Sequence, residues 1–311
     1  MKEYTKGAFA TISAYILWGL LPVYWKSVQA VSPDRMIAHR IIWSFMFLFM
    51  LLLVRRQLPQ IKITISIPGQ LKILTAASVI LTLNWLTFIY AVSSGQVIAG
   101  SLGYYMSPLL SIALGVIYYK EKFKAIQILA IALAAAGVIV ITVSAGKFPW
   151  LSLILALTFG LYGLLKKKTL ADSAAGLVIE TGLIAPLALL YLIIMPAPGL
   201  VSVSEAASGP SMPQAGSLWL MILVSLAGIV TAVPLMLFSY GARKLDLSMI
   251  GFMQYIAPTL MLVLGVFAYD EPFTVAHAIC FTLIWSGLIL YTSTWFRFKP
   301  GTRQPAGSKD S

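Results

Sequence analysis

Apolar residues dominate this chain in long, even runs broken by short polar stretches, without the strict alternation of half-buried strands. Ten runs reach the roughly 17 to 25 residues a helix needs to cross a bilayer core of about 30 Å. They fall near 8–25, 36–54, 72–92, 97–119, 125–144, 149–165, 175–195, 218–239, 247–268 and 274–296. Such uniform runs predict helices, since the strands of a membrane barrel would alternate lipid-facing and lumen-facing positions. The N-terminal stretch Met1-Lys2-Glu3-Tyr4-Thr5-Lys6 carries no cleavage site of the signal-peptide kind, so the first run is expected to stay in the chain.

Composition sharpens this picture. Of 311 residues, 59% are hydrophobic and only 10% are charged, and the mean hydropathy is +0.90. A soluble fold carries roughly a quarter charged residues, so this surface must face something apolar. A single cysteine, Cys280, inside an apolar run excludes a disulfide scaffold. The net charge of +12 comes from too few residues to build a continuous basic face for nucleic acid. Its distribution instead orients the chain. With the N-terminus in the cytoplasm, 18 of the 22 Lys and Arg fall on the inside, leaving only Lys26, Arg35, Arg40 and Lys147 on or near the outside. Short loops rich in Lys and Arg stay cytoplasmic, so both termini are expected there, in the cell membrane. The 196–217 connector is expected to be a flexible external loop, and residues 299–311 a disordered cytoplasmic tail.

Self-comparison at an offset of 150 residues aligns 90–142 with 240–292 without a gap, with 14 identities in 53 positions. Tyr105/Tyr255, Pro108/Pro258, Gly115/Gly265, Glu121/Glu271 and Gly137/Gly287 are among the pairs. Tyr15-x-x-Trp18-Gly19-Leu20-Leu21 echoes Phe159-x-x-Tyr162-Gly163-Leu164-Leu165 in the same way. Five spans per half is an odd number, so the second half is expected to thread the membrane upside-down. The loop charges agree: Lys120-Glu121-Lys122 becomes Asp270-Glu271-Pro272, and Ser93-Ser94 becomes Arg243-Lys244. The expected fold is an all-α multi-pass membrane protein of ten transmembrane helices in two inverted five-helix repeats, 1–146 and 147–298. Inverted repeats are the mark of secondary transporters that rock about a site near the midplane.

Several stretches resemble the EamA branch of the drug/metabolite transporters, and its RarD-type permeases in particular. They include Tyr15-Ile-Leu-Trp18-Gly19, His39-Arg40-Ile-Ile-Trp43-Ser44, Asn84-Trp85, and Gly103-Tyr104-Tyr105-Met106-Ser107-Pro108. Phe159-Gly160-Leu161-Tyr162-Gly163, Glu180-Thr181 and Gln254-Tyr255-Ile-Ala-Pro258 continue the likeness, which covers nearly the whole chain. Asp34 stands where that pattern has a Glu. The resemblance implies a permease, with export as its direction.

Polar groups inside a membrane are expensive and mark cavities or helix contacts. The candidates for a substrate-binding cavity are Trp18, Asn84, Trp85, Tyr104, Tyr105, Tyr162, Gln254 and Tyr255. Aromatic rings give flat apolar contact and Asn or Gln gives both donor and acceptor, which suits a small amphipathic organic molecule. The competing reading for each is plain helix packing. Glu180, alone inside its run, is a candidate for proton coupling, against a bond to Thr181, to groups on the preceding helix, or to water near Lys166, Lys167 and Lys168. Arg40 is too far along the other way to pair with it, and His39-Arg40 is expected to order the outer end of its helix, with Asp34. Pro108 and Pro258 are candidate gating kinks. Glu121 and Glu271, at helix ends near the interface, are expected to be caps or loop contacts and not translocation acids.

No phosphate loop, hydrolase elbow, paired intramembrane carboxylates or metal-ligand spacing occurs, so neither cofactor nor metal is expected. The expected partners are a small-molecule substrate and membrane lipid, with a homodimer open and nucleic acid excluded. The sequence thus points to a secondary transporter of a small organic metabolite or drug, not an enzyme. A membrane-embedded enzyme acting on a lipid-linked substrate, or a non-transporting partner subunit, is the alternative.

Overall fold

The computed structural model describes residues 2–94, 97–146, 148–195, 218–270 and 273–296. The expected external connector 196–217, the tail 299–311 and Glu271 lie outside the described residues. Twelve helices and no strands are found among the described residues: α1 (Lys2–Ser27), α2 (Pro33–Val54), α3 (Pro59–Ser66), α4 (Gln70–Ser93), α5 (Val97–Tyr119), α6 (Ala125–Ser144), α7 (Trp150–Lys168), α8 (Ser173–Ile194), α9 (Leu218–Ala242), α10 (Leu247–Gln254), α11 (Ile256–Tyr269) and α12 (Val275–Phe296). Ten helical stretches are long and apolar enough to cross a membrane, α10 and α11 together forming one of them. The chain is a multi-pass, all-helical membrane protein.

Two elements depart from the expected ten runs. The eight-residue α3 forms in what the sequence reads as a basic loop, started by Pro59 at its first turn. The run 247–268 is interrupted at Tyr255. Pro258 has no N–H to give the carbonyl of Gln254, four residues back, so the helical ladder fails there.

Helix ends follow local chemistry. Asp172 caps α8 by accepting the Ala174 N–H at 3.0 Å. Lys120 and Asp270 end α5 and α11 in left-handed geometry, with φ of 52° and 54°.

Packing divides the chain into two compact units that do not coincide with the sequence halves. Among the described residues, the first lies within 1–121 and 147–272, and the second within 122–146 and 273–296. In the first unit α1 packs on α9 and α11, α2 on α8 and α9, α4 on α7 and α8, and α5 on α7 and α10. Its core gathers Tyr15, Leu48, Leu81, Tyr162, Leu177, Phe238 and Met253 from seven helices. The second unit is the pair α6 and α12. Their backbones meet at glycines: a Cβ on Gly137 would lie 2.8 Å from the Cys280 carbonyl, and one on Gly287 2.6 Å from the Ala130 carbonyl. Small residues permit this approach where lipid gives no hydrophobic push between helices.

Candidate functional site

The two related motifs of α1 and α7 converge on one aromatic cluster. On each helix the pair is spaced i, i+3 and so shares a face. Trp18 lies 5.7 Å from Phe159 and 5.6 Å from Phe238, ring centre to ring centre, while Tyr162 stacks on Phe238 at 6.0 Å. Tyr15, Tyr162 and Phe238 are at most 1% exposed. In this conformation Trp18 and Tyr162 are therefore packed against other rings.

The two amides tie helices together. Asn84 of α4 donates from Nδ2 to the Leu155 carbonyl at 2.9 Å and to Thr158 Oγ1 at 2.8 Å, both on α7. Gln254, at the end of α10, accepts through Oε1 from Ser111 Oγ of α5 at 3.4 Å. Tyr255 is buried at the break and Tyr105 is buried in α5. The two prolines behave differently. Pro108 sits within an unbroken α5, its carbonyl packed against Gly251 of α10, where an added Cβ would come within 2.7 Å. Pro258 follows the interruption between α10 and α11.

Glu180 is 2% exposed and has a partner that the sequence reading assigned to a loop. Lys166 Nζ lies 2.6 Å from Glu180 Oε1, and the lysine side chain is 1% exposed. The Tyr162 hydroxyl donates to Glu180 Oε2 at 3.1 Å, and Ser78 Oγ donates to the Glu180 carbonyl at 2.6 Å. Thr181 does not pair with the acid; its hydroxyl donates to the Leu177 carbonyl at 2.7 Å. Tyr162 and Lys166 are spaced i, i+4, so one face of α7 presents both to the acid. Neighbouring lysines point elsewhere, since successive residues turn by about 100° on a helix. Lys167 donates to the Leu245 carbonyl and lies 5.0 Å from the Tyr119 ring, and Lys168 lies 4.0 Å from the Tyr118 ring. A space of about 10 Å³ opens beside Glu180, lined by Ser78, Thr82, Trp85 and Thr181 among others. That is room for about one water molecule.

Arg40 also departs from expectation. Asp34 accepts from the Tyr191 hydroxyl, and neither orders Arg40. The guanidinium instead lies 4.2 Å from the centre of the Trp85 ring and 5.2 Å from that of Trp25. Sequence reasoning missed it as a site residue because Trp25 and Trp85 reach it from other helices. The signal available was an arginine about one turn inside an apolar run with no acid at i±3 or i±4.

At the α5–α10 end, Glu121 accepts the Leu247 and Ser248 N–H groups at 2.8 and 3.1 Å, capping α10 from a different part of the chain. Its carboxylate occupies the space over Gly115, where a Cβ would come within 2.7 Å. Arg243, just past α9, donates to the Ala171 carbonyl and to Ser173 Oγ at 2.9 Å. Burial lowers its guanidinium pKa from the ordinary value.

The EamA-like transporter family matches residues 5–143. The uncharacterized transporter YojE of Bacillus subtilis is 40% identical over 304 residues, covering 97% of this chain and 98% of that one. Protein RarD of Escherichia coli is 37% identical over 290 residues, 93% of this chain and 95% of its own. The chloramphenicol-sensitive protein RarD of Pseudomonas aeruginosa is 27% identical over 289 residues, 92% of this chain and 93% of its own. A solved crystal structure shares the fold, with a TM-score of 0.68 over 95% of this chain and 99% of that one at 20% identity. The chain thus belongs to the EamA-like transporter family and is a membrane transporter of the RarD type.

Proposed function

We propose that the protein is a secondary transporter working by alternating access, moving a small amphipathic organic solute out across the cell membrane, with both termini in the cytoplasm. Its cargo is an amino acid or related metabolite, with amphipathic drugs the second class. The observation that carries this reading is reciprocity. Gly137 packs on the Cys280 backbone and Gly287 on that of Ala130, and each pair becomes the other on adding or subtracting 150. The helix neighbours obey the same exchange: α1 with α9 corresponds to α7 with α4, α1 with α11 to α7 with α5, and α2 with α9 to α8 with α4. Lys120 and Asp270, 150 apart, share the same left-handed backbone. A duplicated, inverted scaffold can present the same site to either side by exchanging the conformations of its halves.

Within that scaffold Trp18, Asn84, Trp85, Tyr104, Tyr105, Tyr162, Gln254 and Tyr255 line the transport path once the helices part. Pro108 and Pro258 mark the gating helices. Glu180 is the coupling group, since among the described residues it is the buried carboxylate. Small solute, surrounding lipid and a second copy of the chain are the proposed partners. The test is counterflow in vesicles reconstituted with purified protein, using amino acids and amphipathic drugs as labelled solutes. Movement of a solute that Asn84→Ala and Gln254→Ala reduce at least tenfold is expected. If neither variant changes the flux, the cavity assignment fails; if no solute moves, the transport mechanism does.

A further inference from the structure

Arg40 lies about 10 Å along α2 from its start, at a rise of 1.5 Å per residue. It is thus four residues, about 6 Å, into the apolar run 36–54 and near its outer end, where an unpaired cation is still costly and marks function. Among the described residues no carboxylate forms an ion pair with Arg40. Its Nε is sealed from solvent without a hydrogen-bond partner. The phenol groups of Tyr24 and Tyr104 lie within electrostatic reach of it. Two tryptophan faces, at 4.2 and 5.2 Å, hold the charge through their π systems. Rings accept no conventional hydrogen bond, so the five-donor fork of the guanidinium remains unmatched. That fork fits a carboxylate with two parallel bonds. The residue is only half-buried overall, so part of it remains open to approach. Tyr104 is 38% exposed beside it.

We propose that Arg40, between Trp25 and Trp85, is the recognition point for the carboxylate of the transported solute, with the two indoles gripping its apolar body. This rests on the transporter reading and specifies its substrate class: small amphipathic acids and amino acids, not cations or neutral drugs. Asp34, the acid nearest in sequence, is engaged by Tyr191 and so does not compete.

The experiment is thermal unfolding of purified full-length protein in zwitterionic detergent with a panel of aromatic and aliphatic carboxylates, each beside its neutral amide. Phosphatidylglycerol is added in a separate arm. The proposal expects at least one acid to raise the melting temperature and quench tryptophan fluorescence, with its amide at least tenfold weaker. Arg40→Gln abolishes the effect, and Arg40→Lys, which keeps the charge without the fork, weakens it several-fold. Equal effects of acid and amide, a response surviving in Arg40→Gln, or an Arg40-dependent response to phosphatidylglycerol alone each overturn it. So does a panel in which no acid binds. If Arg40→Gln does not fold, the folded Arg40→Lys variant decides: unchanged acid-over-amide preference overturns the proposal. Binding in detergent needs no translocation, so a protein that binds acids yet moves nothing in vesicles refutes the transport mechanism and leaves the Arg40 site standing.

Discussion

The contact between Lys166 and Glu180 is the residue-scale feature with the most at stake, since both side chains are at most 2% exposed. Removing one partner strands the other, at a cost of about 3 to 5 kcal/mol, whereas replacing both by apolar groups of similar size is close to neutral. Glu180→Gln is therefore expected to lower the melting temperature sharply, and Lys166→Met with Glu180→Leu to regain most of the loss. The same pair tests coupling: the double variant is expected to exchange solute but not to concentrate it under a proton gradient. A gradient response equal to the parent protein's means that the acid is structural. Asn84→Ala, which empties two hydrogen bonds to α7, is expected to cost about 1 kcal/mol in unfolding. Glu180 was visible in the sequence because an isolated acid interrupts an apolar run. Lys166 was not, because it opens a run of three lysines that counts as loop charge. Only the helical turn separates the inward one from its neighbours. Arg40 was hidden for a similar reason, since its tryptophans come from α1 and α4.

Among the elements, the break at Tyr255 matters most. Pro108 and Pro258 occupy equivalent places in sequence, yet α5 runs unbroken and the other helix divides into α10 and α11. Sequence spacing locates a missing N–H, but packing decides whether the ladder bends or parts there. Pro258→Ala restores the donor to Gln254, and amide exchange over residues 255–259 is expected to slow about tenfold or more. Measured by hydrogen exchange with mass spectrometry, unchanged rates would mean that the break is imposed by the surrounding helices. The ten spans themselves were legible, because hydrocarbon tolerates few alternatives to a long apolar helix. The short α3 was not, since eight residues give too little periodicity beside a basic loop.

For the molecule as a whole, the inverted duplication makes a prediction that ignores substrate entirely. Lys120→Cys and Asp270→Cys are expected to react with an impermeant thiol reagent from opposite faces of the membrane. Reaction from the same face excludes inversion. Gly137→Leu is expected to force α6 away from α12 and reduce thermal stability, as is Gly287→Leu, the two reading alike because each meets a partner backbone below 3 Å. The division into packing units was not legible, because duplication records ancestry along the chain while compactness records which faces finally meet.

The Glu121 carboxylate, bound to the first amides of α10, has one further consequence. Losing a helix cap costs about 1 to 2 kcal/mol, so a catch of that strength stands undone roughly 3 to 15 per cent of the time. This single contact therefore adds little to the packing that holds α10 against α5. Under the alternating-access reading proposed above, this fastening would part on thermal energy and need no separate input.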